Sequence, residues 1–239
     1  MIIDIHAHVN RENNIYKDSE LFEDMEKNNV DLRVVSTMEG TSIKEANTYI
    51  SNLVKKNSNK LIGCAVINPK LDSAIDDINH AISLGNIKMV EFNSFEHGYY
   101  PDNCKNLEKV LEVIEKNNII VKTFTGIGAR SMPHQWETIA KKFPKVKFIF
   151  LHMGCFDYGY NCIDIAKRND NIYVETSNQY EMQILKKAFN NLDKSKIVFG
   201  SSFPDRFTKC SIDIFDMFKL EKEEVKSIFS ENAKKILNL

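Results

Sequence analysis

Eight short apolar runs, helical spacing between them and a length of 239 residues predict a parallel (β/α)8 barrel, the TIM-barrel architecture. Strands that alternate with helices must pair in parallel, because parallel neighbours need a crossover and a helix is the usual one. The runs are almost continuously apolar, as strands covered on both faces should be. Eight units of about 30 residues use up the whole chain, so residues 1–239 are read as one domain with few insertions.

In order, the first two runs are Ile2–Ile5 and Arg33–Thr37. The third, Leu61–Ile67, is followed by Pro69 and Asp72, which open the third helical segment. The fourth, Lys88–Phe92, leads to Pro101-Asp102 and a helix whose Leu107, Val110, Leu111 and Ile114 share one face at i, i+3, i+4 and i+7. Ile119–Phe124 is the fifth, and Pro133 starts the helix after it. Lys147–Leu151, Asn171–Thr176 and Ile197–Gly200 complete the set. The last helix, from about Glu221 to Leu237, carries Val225, Ile228, Phe229, Ala233 and Ile236 at helical spacing. An open Rossmann sheet is the rival, but Gly126-Ile127-Gly128 has no third glycine three residues on.

Charge narrows the partners. With 32 Lys+Arg against 33 Asp+Glu, the net charge is -1, so there is no basic surplus to bind nucleic acid or an anionic membrane. Lys55-Lys56 and Lys141-Lys142 fall in helical stretches rich in acids and read as solvated faces. The five cysteines form no CxxC pair, which points to free thiols in a reducing compartment, taken as the cytoplasm. The start, MIIDIHAHVN, has no basic leader region, and no run reaches 18 apolar residues. The partner expected is a small-molecule substrate, and a homo-oligomeric assembly stays open.

Active sites of parallel barrels sit where the strands end. Run one ends Asp4-Ile5-His6-Ala7-His8. Alternation points His6 and His8 the same way with Asp4 below them, about 7 Å apart by strand rise, so that two imidazoles can share one metal ion. His152 follows four apolar residues at the end of run six and reads as a ligand or general base. Glu91 sits within run four, where an unpaired carboxylate would be costly, so it should meet a cation, a donor or a metal. Run eight closes with Gly200-Ser201-Ser202-Phe203-Pro204-Asp205; no Gly-x-Ser-x-Gly elbow surrounds either serine, which argues against a serine nucleophile. His97, in the loop after run four, is within reach of a substrate or a simple turn residue. His80 and His134 read as surface residues of helical segments, Trp136 as packing and Cys155 as a spectator.

Together these segments resemble the amidohydrolase-related family of metal-dependent hydrolases, in the branch of aromatic-acid decarboxylases and lactone hydrolases. The resemblance rests on Ile3-Asp4-Ile5-His6-Ala7-His8, Gly98-Tyr99-Tyr100-Pro101-Asp102, Phe148-Ile149-Phe150-Leu151-His152-Met153-Gly154, Ile197 to Pro204 and Ile228 to Leu237, in that order. It implies a barrel holding a divalent metal, usually zinc, through the first-strand His pair, a fifth-strand His and an eighth-strand Asp, with a sixth-strand His as base or substrate contact. His6, His8 and His152 match. Phe124 stands at the fifth-strand position and Ser202 at the eighth, and neither is a useful ligand.

Two outcomes follow. A rearranged set of His6, His8 and Glu91 still holds a divalent metal, most simply zinc. His152 and Asp205 then serve as the catalytic groups, and water activated to a pKa of roughly 7 attacks the carbonyl of a small cyclic or carboxylated amide, ester or lactone. Alternatively the pocket has lost its metal and the barrel is a binding or regulatory protein. A non-oxidative decarboxylase is the nearest other chemistry on this scaffold.

Overall fold

The computed structural model describes residues 1–239. Eight parallel strands run in chain order around the sheet: β1 (Ile3–His8), β2 (Leu32–Ser36), β3 (Leu61–Val66), β4 (Ile87–Phe92), β5 (Ile120–Phe124), β6 (Phe148–Leu151), β7 (Ile172–Glu175) and β8 (Ile197–Val198). Backbone bonds bring the chain at and after β8 back onto β1: Ile5 N–H donates to Phe199 O (3.0 Å) and Ser202 N–H to His6 O (2.8 Å). The barrel is thereby closed and has no open edge. Each strand falls on one of the eight predicted runs.

The crossovers are helical: α1 (Asp18–Lys27), α2 (Ile43–Lys56), α3 (Ala74–Ser83), α4 (Leu107–Lys116), α5 (Pro133–Lys142), α6 (Cys155–Arg168) and α7 (Met182–Asn191). Local sequence sets their starts. Ser42 caps α2 by accepting from Glu45 N–H (3.1 Å), and Pro133 supplies the fixed φ and missing donor suited to the first position of α5. Pro101-Asp102 does not open α4: Pro101–Asn103 is a separate 3-10 turn, and the helix begins at Leu107. The C-terminal segment is helical over Lys222–Lys226 and Asn232–Leu237 with a π turn, Ser227–Glu231, between them. No helix is long and apolar enough to cross a membrane.

Burial on both faces divides the core in two. The larger cluster lies between strands and helices and includes Phe92, Trp136, Phe148 and Phe199. The smaller fills the barrel interior with Ile5, Val34, Ile62, Met89 and Ile149, and Ala233, Ile236 and Leu237 of the last helix join it. Above that plug, at the C-terminal ends of the strands, the interior positions change from aliphatic to ionisable.

Candidate active site

β1 does not keep a strict two-residue alternation. Its pairing with β2 shifts register between Asp4 and Ala7, so the prediction that Asp4 lies beneath the two histidines is corrected. Ile3 and Ile5 belong to the barrel interior, whereas Asp4 meets Arg33 on the helix side, Nε to Oδ2 at 2.7 Å. Arg33 in turn donates to Asp24 (2.7 Å) and Thr208 (3.0 Å), and Ser201 N–H donates to Asp4 (2.9 Å). Asp4 is thus a buried structural anion that clamps β1, β2 and the segment after β8. A bulge of this kind re-aims the side chains beyond it. His6 and His8 end with ring centroids 4.7 Å apart and nearly perpendicular planes.

Strand register brings their partners in. His8 pairs with Ser36 across β1–β2, and Glu91 with Lys122 across β4–β5. His8 Nε2 lies 3.0 Å and 3.2 Å from the two oxygens of Glu91; Ser36 Oγ donates to Glu91 Oε2 at 2.6 Å. Lys122, fully buried, places Nζ 3.0 Å from Glu91 Oε2 and 3.1 Å from His6 Nδ1. Burial pushes the Glu91 carboxyl up, but Lys122 and His8 outweigh it and hold the group well below the carboxylate range. Burial would likewise lower Lys122, and the neighbouring Cys64 and Glu91 turn the net shift upward. His6 is driven well down, first by burial and then by the Lys122 ammonium, so its ring is neutral. Ligand atoms of His6, His8 and Glu91 all fall within 4.8 Å of one another.

His152 closes the far side. Its ring stands 5.2 Å from that of His6 and 5.2 Å from Phe124. Its Nδ1 lies 2.9 Å from Ser177 Oγ, and that hydroxyl donates to Glu175 Oε2 at 2.8 Å. Glu175 also accepts from the backbone N–H of His152 (3.0 Å) and of Ser177 (2.5 Å). The backbone carbonyl of Ser177, which can only accept, also lies 3.3 Å from His152 Nδ1, and that places the ring proton on Nδ1 and the lone pair on Nε2. Burial lowers His152 to about 4 and raises Glu175 to about 7, the latter against the pull of its three donors. Strain accompanies the site. His152, Met153 and Cys155 all have positive φ (60°, 48° and 48°), values uncommon outside glycine and concentrated at functional positions.

A cavity of about 220 Å³ at the barrel mouth is lined by His8, Glu39, Glu96 and Asp205 among others. Asp205 therefore reaches the same space as His8. Ser202 is buried at the rim with φ 57°, its backbone tied to His6. His97 ends a short helix, Ser94–His97, and lines a neighbouring groove with Thr37 and Asn68. Trp136 is fully buried and stacks on Phe92, as a packing residue should. Burial pushes the Cys155 thiol to about 12, which leaves it inert. The sequence reading passed over Lys122, Ser36, Glu175 and Ser177. The rule that singled out Glu91, an ion inside an apolar strand, applies unchanged to Lys122 and Glu175.

A closed parallel barrel whose C-terminal rim gathers two imidazoles and a buried carboxylate, with a third histidine opposite, has the build of a TIM-barrel hydrolytic enzyme. The sequence model of the amidohydrolase family matches residues 3–239, and the chain belongs to that family of enzymes. No curated protein matches the sequence. Among solved structures, an uncharacterised TIM-barrel protein from Bordetella bronchiseptica superposes with TM-score 0.80 at 18% identity, covering 99% of this chain and 98% of that one. A probable 2-pyrone-4,6-dicarboxylic acid hydrolase from Acinetobacter baumannii gives 0.76 at 16%, over 100% and 99%. A dihydroxybenzoic acid decarboxylase from Polaromonas, with manganese and an inhibitor bound, gives 0.77 at 14%, over 100% and 97%.

Proposed function

We propose that the protein is a metal-dependent hydrolase that uses water to open a small amide, ester or lactone at the barrel mouth. The observation that carries this reading is the convergence of ligand atoms from His6, His8 and Glu91 within 4.8 Å. Two imidazoles and one carboxylate are a donor set used by catalytic zinc sites. His8 Nε2–H donates to Glu91 Oε1 at 3.0 Å, and a divalent cation held between the two groups would take the place of that proton. The donors fit a divalent cation in kind, and their spread of up to 4.8 Å leaves His6 to close in. Such an ion, when bound, supplies Lewis-acid polarisation of a carbonyl and a water that ionises near neutral pH.

The chain's own groups do the rest. His152 is neutral at pH 7, and its Nε2 lone pair takes a proton from the attacking water and returns it to the leaving group. Asp205, in the same cavity as His8, is the second group able to hold that proton. Carboxylates of Glu39, Glu96 and Asp205 line the mouth, with no Lys or Arg among the lining residues. That charge disfavours a carboxylate next to His8, while Arg206 places a positive charge that acts on His152. Zinc suits the mixed nitrogen and oxygen donors, and five free cysteines suit a reducing compartment such as the cytoplasm.

Metal analysis of protein purified without chelator tests the reading. We expect about one zinc or manganese per chain, lost in His6→Ala/His8→Ala. A folded wild-type protein that retains and takes up no divalent ion would overturn it.

A further inference from the structure

Lys122 is a buried ion of the site that the proposed hydrolysis does not use. It is 0% exposed, inside a barrel, and sits between two of the three residues that converge on the metal position. A lysine ammonium has three donors and no acceptor, so its 3.1 Å contact with His6 Nδ1 requires the lone pair there. A neutral imidazole has one lone pair and one N–H. With Nδ1 accepting from Lys122, the proton is on Nε2, and neither nitrogen is free to ligate.

Glu91 is divided in a similar way. Its Oε2 accepts from Ser36 Oγ at 2.6 Å and meets Lys122 Nζ at 3.0 Å, while Oε1 has His8 Nε2 as its near partner. The ammonium therefore neutralises the only carboxylate of the donor set and occupies the only lone pair of one imidazole. The cluster spans up to 4.8 Å, wider than the roughly 3.3 Å a tetrahedral shell allows. Contraction must draw His6 away from Lys122. Ser36 Oγ, 3.5 Å from Nζ, is the acceptor that the ammonium can turn to while it keeps Glu91.

We infer that Lys122 is a built-in competitor of the metal: its ammonium and a divalent cation are alternative occupants of the space between His6 and Glu91, and it holds the site to weak, exchangeable metal binding. The inference rests on the His6, His8 and Glu91 assignment above and adds the residue that opposes it. Lys122 acts through His6 and Glu91, and is thereby a positioning residue. The same pairing lets a carboxylate and a lysine stay buried together beside two histidines, since each neutralises or satisfies the other.

The test is a metal titration of chelator-stripped protein with Zn²⁺ and with Mn²⁺, in competition with a chromophoric chelator. Wild type is compared with Lys122→Met and Lys122→Gln, and thermal melts confirm that each variant is folded. Both variants should bind one ion about tenfold or more tighter than wild type, within the range that neighbours of metal ligands command. Adding His6→Ala should abolish the gain. A second readout needs no variant. In metal-free wild type, ¹⁵N–¹H spectra should show His6 as the Nε2–H tautomer, and Zn²⁺ should shift its Nδ1 signal as the Lys122 bond is lost. Equal or weaker binding by the folded variants, or an Nδ1–H tautomer of His6, overturns the inference and leaves the metal assignment standing. Absence of binding in wild type and variants alike overturns both.

Discussion

Glu175 gives the sharpest quantitative test of the interior because it is wholly buried and its folded pKa of about 7 lies well above the ordinary 4.5. A carboxyl whose folded pKa is raised contributes its full stability below the unfolded value, and loses it as pH climbs through the folded one. Integrating the linkage relation between these two values, this single group should cost the fold about 2.5 kcal/mol on going from pH 5 to pH 8. His152, lowered to about 4 by burial, has the opposite slope, its stability being lost as pH falls from 6.5 towards 4. The wild-type profile alone therefore mixes the two. Glu175→Gln separates them. Its amide cannot accept from all three donors that Glu175 serves, but that loss is independent of pH and cancels when the profiles are compared. Urea denaturation of wild type and Glu175→Gln at unit pH steps should give a stability difference that moves by about 2.5 kcal/mol in favour of the variant between pH 5 and pH 8. A difference that stays flat across that range would refute the claim that burial keeps the Glu175 carboxyl protonated up to about pH 7 in the folded protein.

Two further substitutions probe the frame around the site. Asp4→Ala leaves Arg33 buried with Asp24 as its remaining anion and strips the acceptor from Ser201 N–H; we expect a loss of about 3 kcal/mol by urea denaturation, and a loss under about 1 kcal/mol would mean that the clamp across β1 and β2 is ornamental. Trp136→Ala should cost about 4 kcal/mol as a core cavity, whereas Trp136→Phe should cost about 1 kcal/mol, because it also removes a buried Nε1–H that has no partner; near-equal losses in chemical denaturation would count against that account.

The barrel was legible in the sequence because strands covered on both faces are written almost entirely in Ile, Val, Leu and Phe, and eight such runs at a regular interval leave few other folds. The pair His6 and His8 was legible because it terminates such a run. The role of Asp4 was not, since a register shift breaks the two-residue rule without any mark in composition: Asp4-Ile5-His6 reads the same whether or not the strand bulges. Lys122 shows a different gap. The sequence carries its charge in plain view, but its meaning comes from strand register, which sets it beside Glu91 and facing His6 across the barrel, a relation between residues 31 and 116 positions apart. The expectation that two site positions were vacated is altered by the same geometry. Phe124 and Ser202 supply no ligand, and the buried charge on β5 sits two residues before Phe124, at Lys122. A lysine and a glutamate stand next to the first-strand histidines, and on the inference drawn above their mutual neutralisation weighs on metal affinity together with the number of donors.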